Sequence, residues 1–200
     1  MRIKSLRYTA GGLLACACIS TSCVYLDHNF RAVEPGVMYR SGQMPDHRLG
    51  RFVNAHGIQT VVNLRGASPG QDWYEEELAV CAALDVEHYD LDWSMRRLPE
   101  PASMAQLVNI LESSEGPVLV HCHGGTHRAA IASSTYRLLH GANVDDARGE
   151  FGLFFNDAPI GQLLDLYERD GGDFRTWVLE RYPDVYEEVS RSESATEQHG

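Results

Sequence analysis

The chain has 200 residues, of which 44% are hydrophobic and 22% charged, proportions of an ordinary globular protein rather than a disordered or fibrous one. That length suits a single domain and is enough to bury a core without disulfides or a structural metal. The formal charge is −11 and Lys4 is the only lysine, which argues against a nucleic-acid groove and excludes a Walker-type phosphate loop or a Schiff-base lysine in the body.

The amino terminus carries Arg2, Lys4 and Arg7 without an acid, then an uncharged run from Tyr8 to Ser20, then the small residues Ser20, Thr21 and Ser22. That order predicts a secretory signal over residues 1–22. The run is shorter than the about 20 apolar residues a membrane span requires. A cysteine directly after small residues at the end of such a run resembles the acylation site of bacterial lipoproteins. Cys23 fits because it leaves a full apolar region before it. Cys16 remains an alternative, because Leu13 supplies the leucine that Cys23 lacks three positions upstream. The expected location is therefore the periplasm or a membrane-anchored lipoprotein, touching the bilayer only through that anchor. Cys81 and Cys122 are the only cysteines of the body and do not make a disulfide scaffold.

Beyond Asn29, strand-like and helical patterns alternate. Val37 to Tyr39 is a short strand candidate. Residues 46–56 read as a helix with Leu49, Phe52 and Val53 on one face, ended by Gly57. Ile58 to Leu64 is a β-branched run of buried-strand length, followed by a loop at Gly66 to Gly70 and a helix over 71–83. Val86 to Leu91 alternates as a strand does, and Pro99 and Pro101 open a helix over about 102–113. Pro117 to Val120 is the fourth strand. After Arg128 the pattern is helical, broken at Gly141, near Asn156 to Pro159, and at Gly171-Gly172. This predicts one α/β domain over 29–182: a mostly parallel sheet of four to five strands flanked by helices, with a helical C-terminal half. A polar tail from Ser190 through residue 200 reads as disordered.

Between the fourth strand and the helix opening near Arg128 stands His121-Cys122-His123-Gly124-Gly125-Thr126-His127-Arg128, a C-x5-R loop. Its backbone amides can turn inward, with a helix N-terminus behind them, to cradle a phosphate. Arg128 adds a planar fork for two phosphate oxygens. Cys122 sits in the same positive field, which favours the nucleophilic thiolate. Gly124 and Gly125 let the backbone approach the ligand. With His before the cysteine and Gly third after it, the composition gives roughly 0.002 chance matches per chain.

These residues resemble the signature of the cysteine-dependent protein tyrosine phosphatase superfamily, in particular its compact dual-specificity-like members, including bacterial ones. Gly36 to Gln43 and Gly57 to Arg65 look like that family's opening segment and the strand after it. The resemblance implies phosphate-monoester hydrolysis through a phosphocysteine on Cys122, with no metal or other cofactor. His123, Gly124, Gly125, Thr126, His127 and Arg128 would bind the phosphate and His121 would tune the thiolate from behind. It also implies an aspartate about thirty residues upstream that protonates the leaving oxygen. Asp92 and Asp90 both fit; Asp92, nearer the strand's end, is preferred, with Glu100 a distant third. Expected substrates are phosphorylated proteins, lipids or small molecules. The family's hydroxyl residue after the arginine is here Ala129, so phosphocysteine breakdown is expected to be slow. A phosphate-binding module without turnover therefore stays open as an alternative, and behind it a sulfur-transfer enzyme. Cys81 is read as a buried helix cysteine, with reversible pairing to Cys122 as the rival.

Overall fold

The computed structural model describes residues 28–197. The signal at 1–22 and the acylation candidates Cys16 and Cys23 lie outside the described residues. The strands are β1 (Arg31–Glu34), β2 (Met38–Gly42), β3 (Thr60–Asn63), β4 (Glu87–Asp90) and β5 (Val118–Cys122). They form a single sheet in the order β1-β2-β5-β3-β4. β1 is antiparallel to β2; every other pairing is parallel. Crossover helices on both faces bury a parallel sheet, which is why β2, β3 and β5 are buried at every position.

The helices are α1 (Asp46–His56), α2 (Asp72–Ala83), α3 (Pro101–Ser113), α4 (Arg128–Leu139), α5 (Val144–Arg148), α6 (Gln162–Asp170), α7 (Phe174–Thr176) and α8 (Tyr182–Glu197), with a π-helical turn at Trp177–Arg181 between the last two. Gly57 closes α1 in the left-handed conformation at φ 63°, its amide donating to the Val53 carbonyl. Pro101 opens α3 at a position whose amide needs no helical partner.

Strand alternation sorts the core into two layers. Tyr39, Val61 and Leu119 pack with Leu49 and Val53 of α1 and Cys81 of α2. Met38, Val62 and Val120 pack on the opposite face with Leu107, Ile131, Leu163 and Trp177. Each such fully buried aliphatic side chain contributes about 1.5–3 kcal/mol. The central helix α4 is buried from Ala129 through Tyr136, which its run of Ala and Ser permits. The Ser133 hydroxyl donates to the Ala129 carbonyl and the Ser134 hydroxyl to the Ala147 carbonyl, which pairs these two buried groups, while the buried Thr135 hydroxyl has no partner among the described residues.

Three features differ from the sequence reading. β1 was not anticipated: only Val33 of its four residues is buried, so it carries no apolar signal and exists by pairing with β2. β2 and β5 run further than their apolar cores, because Ser41 pairs with His121 and Gly42 with Cys122. α8 continues to Glu197, into the stretch assigned to a polar tail from Ser190. There the Ser194 hydroxyl donates to the Ser190 carbonyl, and Arg191 lies 4.0 Å from Glu187 one turn back. Among the described residues no helix is long and apolar enough to cross a membrane.

The topology fixes where a ligand can bind. From β2 and β3 the chain leaves to α1 and α2 on one face, while from β5, which lies between them, it leaves to α4 on the other. Loops diverging from adjacent parallel strands open a crevice at the strands' carboxyl ends.

Candidate active site

The loop after β5 occupies that crevice. Its carbonyls are all pulled outward. The Gln43 amide donates to the His123 carbonyl at 3.1 Å, and Asn29 Nδ2 donates to those of Gly124 and Gly125 at 3.2 and 3.0 Å. Arg40 Nη2 donates to the carbonyls of Gly125 and Thr126 at 2.7 and 3.4 Å. Alternate faces of a peptide unit carry its two dipole ends, so outward carbonyls leave inward amides. Among the described residues, no acceptor takes the amides of residues 123–127. They form a nest with the N-terminus of α4 behind it, the arrangement that binds an oxyanion.

Gly125 makes this turn possible. Its φ is +68°, and a Cβ there would lie 2.5 Å from the Gly42 amide nitrogen and 2.6 Å from the Ser41 carbonyl carbon. Both contacts are backbone, so neither can move aside. The loop is thus seated directly on the end of β2.

Cys122 lies at the base of a cavity of about 640 Å³, also lined by His123, Gly124, Thr126, His127 and Arg128, with His28, Met95 and Phe154 around them. Arg128 Nη1 is fixed by the carbonyls of Leu64 and Trp93, each at 3.2 Å. Its Nε and Nη2 have no partner among the described residues, which leaves a two-pronged donor edge for a phosphate. Arg40 is fully buried beneath the loop and paired with Glu150 at 3.2 Å. Burial and the nearby Arg31 push it down to about 10, against the pull of Glu150 and Cys122, so it remains a cation at neutral pH. Arg65 stacks on Trp73 at 3.5 Å and donates to Gln43 Oε1. Burial and Arg128 lower it, while Glu77 and Cys122 raise it. Cys122 is thus surrounded by arginines rather than lysines. Burial, with Arg128 alongside, holds His127 below the ordinary imidazole value, which favours its neutral ring near neutrality.

His121 points to the other face of β5, and its Nε2 lies 3.1 Å from Glu77 Oε1 on α2. The same carboxylate oxygen is 2.9 Å from His88 Nε2, and Oε2 accepts from Gln43 Nε2 at 2.7 Å. Burial alone would raise the Glu77 carboxyl, but His121 and the hydrogen bonds from His121, His88 and Gln43 outweigh it and hold it well below the usual range. The His121 side chain is thus fixed from behind by a buried anion one residue before Cys122.

The two upstream aspartates meet different surroundings. Both Asp90 carboxylate oxygens are occupied, one by Asn63 Nδ2 at 2.7 Å and one by the Tyr74 hydroxyl at 2.5 Å. Asp92 is exposed, bridges to Arg65 through the backbone, and has no hydrogen bond or ion pair to its carboxylate among the described residues. It packs over Gly66, where a Cβ would lie 3.0 Å from the Asp92 Cβ. Asp92 does not line the cavity itself; it immediately precedes Trp93, whose carbonyl holds Arg128. The Glu100 carboxylate accepts from the Tyr186 hydroxyl at 2.8 Å, tying it to α8. Ala129 is fully buried behind the loop and brings no hydroxyl. Cys81 and Cys122 are both free thiols, and burial pushes Cys81 up to about 12.

Sequence reading missed several of the residues that shape the site. Glu77 had a signal: with Tyr74 and Cys81 it keeps the helical spacing of α2's buried face. Arg40 and Asn29 had none, because their partners are loop carbonyls remote in sequence. Phe154 and Met95 come from two loops that only the fold brings together.

The fold and this loop define a cysteine-based phosphatase of the tyrosine phosphatase superfamily. The family model of the Swiss Army Knife protein, DSP-PTPase phosphatase domain (PTP-SAK), matches residues 27–158, and the chain belongs to that family. Solved structures with the same fold include TpbA of P. aeruginosa, 20% identical over 77% of this chain and 90% of that one, with a TM-score of 0.57. The core catalytic domain of the PP-IP phosphatase Siw14 from S. cerevisiae is 18% identical over 84% of this chain and 93% of that one, with a TM-score of 0.55. PTPMT1 is 17% identical over 78% of this chain and 99% of that one, with a TM-score of 0.56.

Proposed function

We propose that the chain is an exported phosphatase, anchored through an acylated Cys23, that hydrolyses phosphate monoesters through a phosphocysteine on Cys122. One observation carries this reading: every loop carbonyl from His123 to Thr126 is bound outward, leaving the amides and the free edge of Arg128 to converge over Cys122. In the first step the Cys122 thiolate attacks phosphorus, the ester P–O bond breaks, and the Asp92 carboxyl gives its proton to the departing oxygen. The loop amides and Arg128 hold the equatorial oxygens as charge develops on them. In the second step water attacks the phosphocysteine, Asp92 takes its proton, and the thiolate leaves. The free carboxylate of Asp92 and the doubly bonded state of Asp90 favour Asp92 as the acid.

TpbA has been crystallised, as a cysteine-to-serine variant, in complex with phosphotyrosine, and Siw14 is described as a PP-IP phosphatase. The cavity here has no lysine and carries a neutral His127, which supports a monoester of low charge over a polyphosphate. Phosphotyrosine-like esters are therefore the proposed class.

The test is single-turnover and steady-state hydrolysis of an aryl phosphate under reducing conditions. Because Ala129 offers no hydroxyl to the departing thiolate, a burst of one equivalent followed by slow release is expected. Cys122→Ser should abolish turnover and keep vanadate affinity. Turnover that survives in this variant would remove Cys122 from the mechanism. Vanadate binding without burst or turnover by the reduced wild type would favour a binding module, the reading that Ala129 leaves standing.

A further inference from the structure

Four large apolar side chains are exposed among the described residues: Val37 at 42%, Met95 at 40%, Leu153 at 96% and Phe154 at 52%. Val37 precedes β2, at the end of the sheet away from the site. The other three fall on two loops at the cavity's mouth, and Met95 and Phe154 line it. The Ile160 amide donates to the Met95 carbonyl at 3.3 Å, so the two loops form one surface. Isolated exposed apolar residues are ordinary, but a concentration of them around one opening marks a contact surface.

The exposure of this tip is built in. On either side of Leu153 and Phe154, the rings of Phe151 and Phe155 stack at 3.8 Å, and Phe155 is buried against His127 at 5.4 Å. Asn156 and Asp157 then turn the chain back at φ 52° and 45°, a conformation unusual for residues with side chains. The inner aromatic pair anchors the loop while its apolar tip is held out to solvent. Beside Met95, Arg96 and Arg97 are exposed and form no ion pair among the described residues. The acids on or next to these loops are Asp92, Glu100, Glu150 and Asp157; Glu100 accepts from the Tyr186 hydroxyl, and Glu150 is paired with Arg40 and Arg137.

The chain also enters the domain at this mouth. His28 and Asn29 line the cavity, the His28 carbonyl accepts from the Gly42 amide at 2.6 Å, and Asn29 holds the loop. Cys23 is five residues before His28, a reach of at most about 17 Å. A lipid on Cys23 would therefore hold the mouth within that distance of a bilayer.

We propose that the cavity's rim is a bilayer-docking face: Met95, Leu153 and Phe154 enter the lipid interface, Arg96 and Arg97 meet anionic headgroups, and the catalytic pocket opens onto the membrane surface. The proposal rests on the acylated, phosphatase reading above. With a net charge of −11, the whole chain has no general attraction to anionic lipid, so docking in the absence of the anchor depends on this patch. The substrates so presented are phosphate monoesters at the bilayer surface.

The test uses the mature chain, residues 23–200, with Cys23→Ser so that no acyl chain contributes, and with or without Leu153→Asp. Binding to vesicles of phosphatidylethanolamine and phosphatidylglycerol is measured by co-sedimentation. Turnover of a soluble aryl phosphate serves as the control for folding and chemistry. Leu153 does not line the cavity, so soluble turnover should be unchanged by Leu153→Asp, while vesicle partitioning falls about tenfold. Equal partitioning of the two chains, or none by either, would overturn the docking face and leave the phosphatase reading untouched. Self-association of the parent chain that Leu153→Asp removes, without any effect on vesicle binding, would make the patch an interface between copies and also overturn it. Absence of aryl phosphate turnover in both chains would sink the phosphatase reading, and the vesicle comparison would still decide the docking face.

Discussion

Asp90 ends β4 and Asp92 lies two residues past it, yet only one has a carboxylate free to move a proton. Asp90 is committed to Asn63 and Tyr74, and its hydrogen bond pushes the Tyr74 hydroxyl up to about 12. Asp92→Asn should lower turnover by about 10²–10⁴-fold on alkyl phosphates, whose leaving oxygen needs a proton. On a nitrophenyl phosphate, whose leaving group departs as an anion, the loss should be small. Asp90→Asn should show no such leaving-group dependence and should instead lower stability, by removing an acceptor from two donors. A leaving-group profile that changes with Asp90 and not with Asp92 would exchange their roles. The family resemblance, which implies an aspartate about thirty residues before Cys122, made both residues legible in the sequence. Their hydrogen-bond partners come from β3 and α2, which no local pattern announces.

At the scale of elements, the site is a strand, a turn and a helix start whose carbonyls have been claimed by neighbours. The apolar run of β5, the glycines and the helical pattern after Arg128 made this unit readable from sequence. The outward anchors were not readable, because Arg40 and Asn29 reach the loop across more than eighty residues of chain. At Gly125 the loop lies against the end of β2 with no room for a Cβ. Gly125→Ala places a methyl group against immovable backbone and forces a left-handed conformation on a residue with a Cβ. Displacing the nest by even about 1 Å costs on the order of 10²-fold in such geometry. Vanadate affinity and turnover should both fall by at least that much. Retention of wild-type vanadate affinity would show that the nest does not form the oxyanion site.

For the molecule as a whole, the buried Glu77 links the site to acid stability. Its carboxyl lies below the ordinary value of about 4.3, so the stability it contributes is present above that pH and is lost as pH falls through the lower folded value. Glu77→Gln should cost about 1–3 kcal/mol in urea unfolding at pH 7, because a donor replaces one of two accepting oxygens. The gap between wild type and variant should close progressively below pH about 4. A gap that stays constant from pH 7 to pH 3 would mean that Glu77 is not held as an anion.

Composition, the alternation of strands and helices, and the His121 to Arg128 motif suffice to read the α/β class, the candidate nucleophile Cys122 and the candidate phosphate clamp Arg128. Those properties are local: side-chain period follows the pleat and the helical turn, and a phosphate nest is made of consecutive amides. The edge strand β1, the different surroundings of the two aspartates, the burial of Glu77 beneath His121 and the apolar rim around the cavity came only with the tertiary structure. Each depends on groups far apart in sequence meeting at the carboxyl end of the sheet, where loops diverge to opposite faces and long-range hydrogen bonds, rather than periodicity, set the geometry.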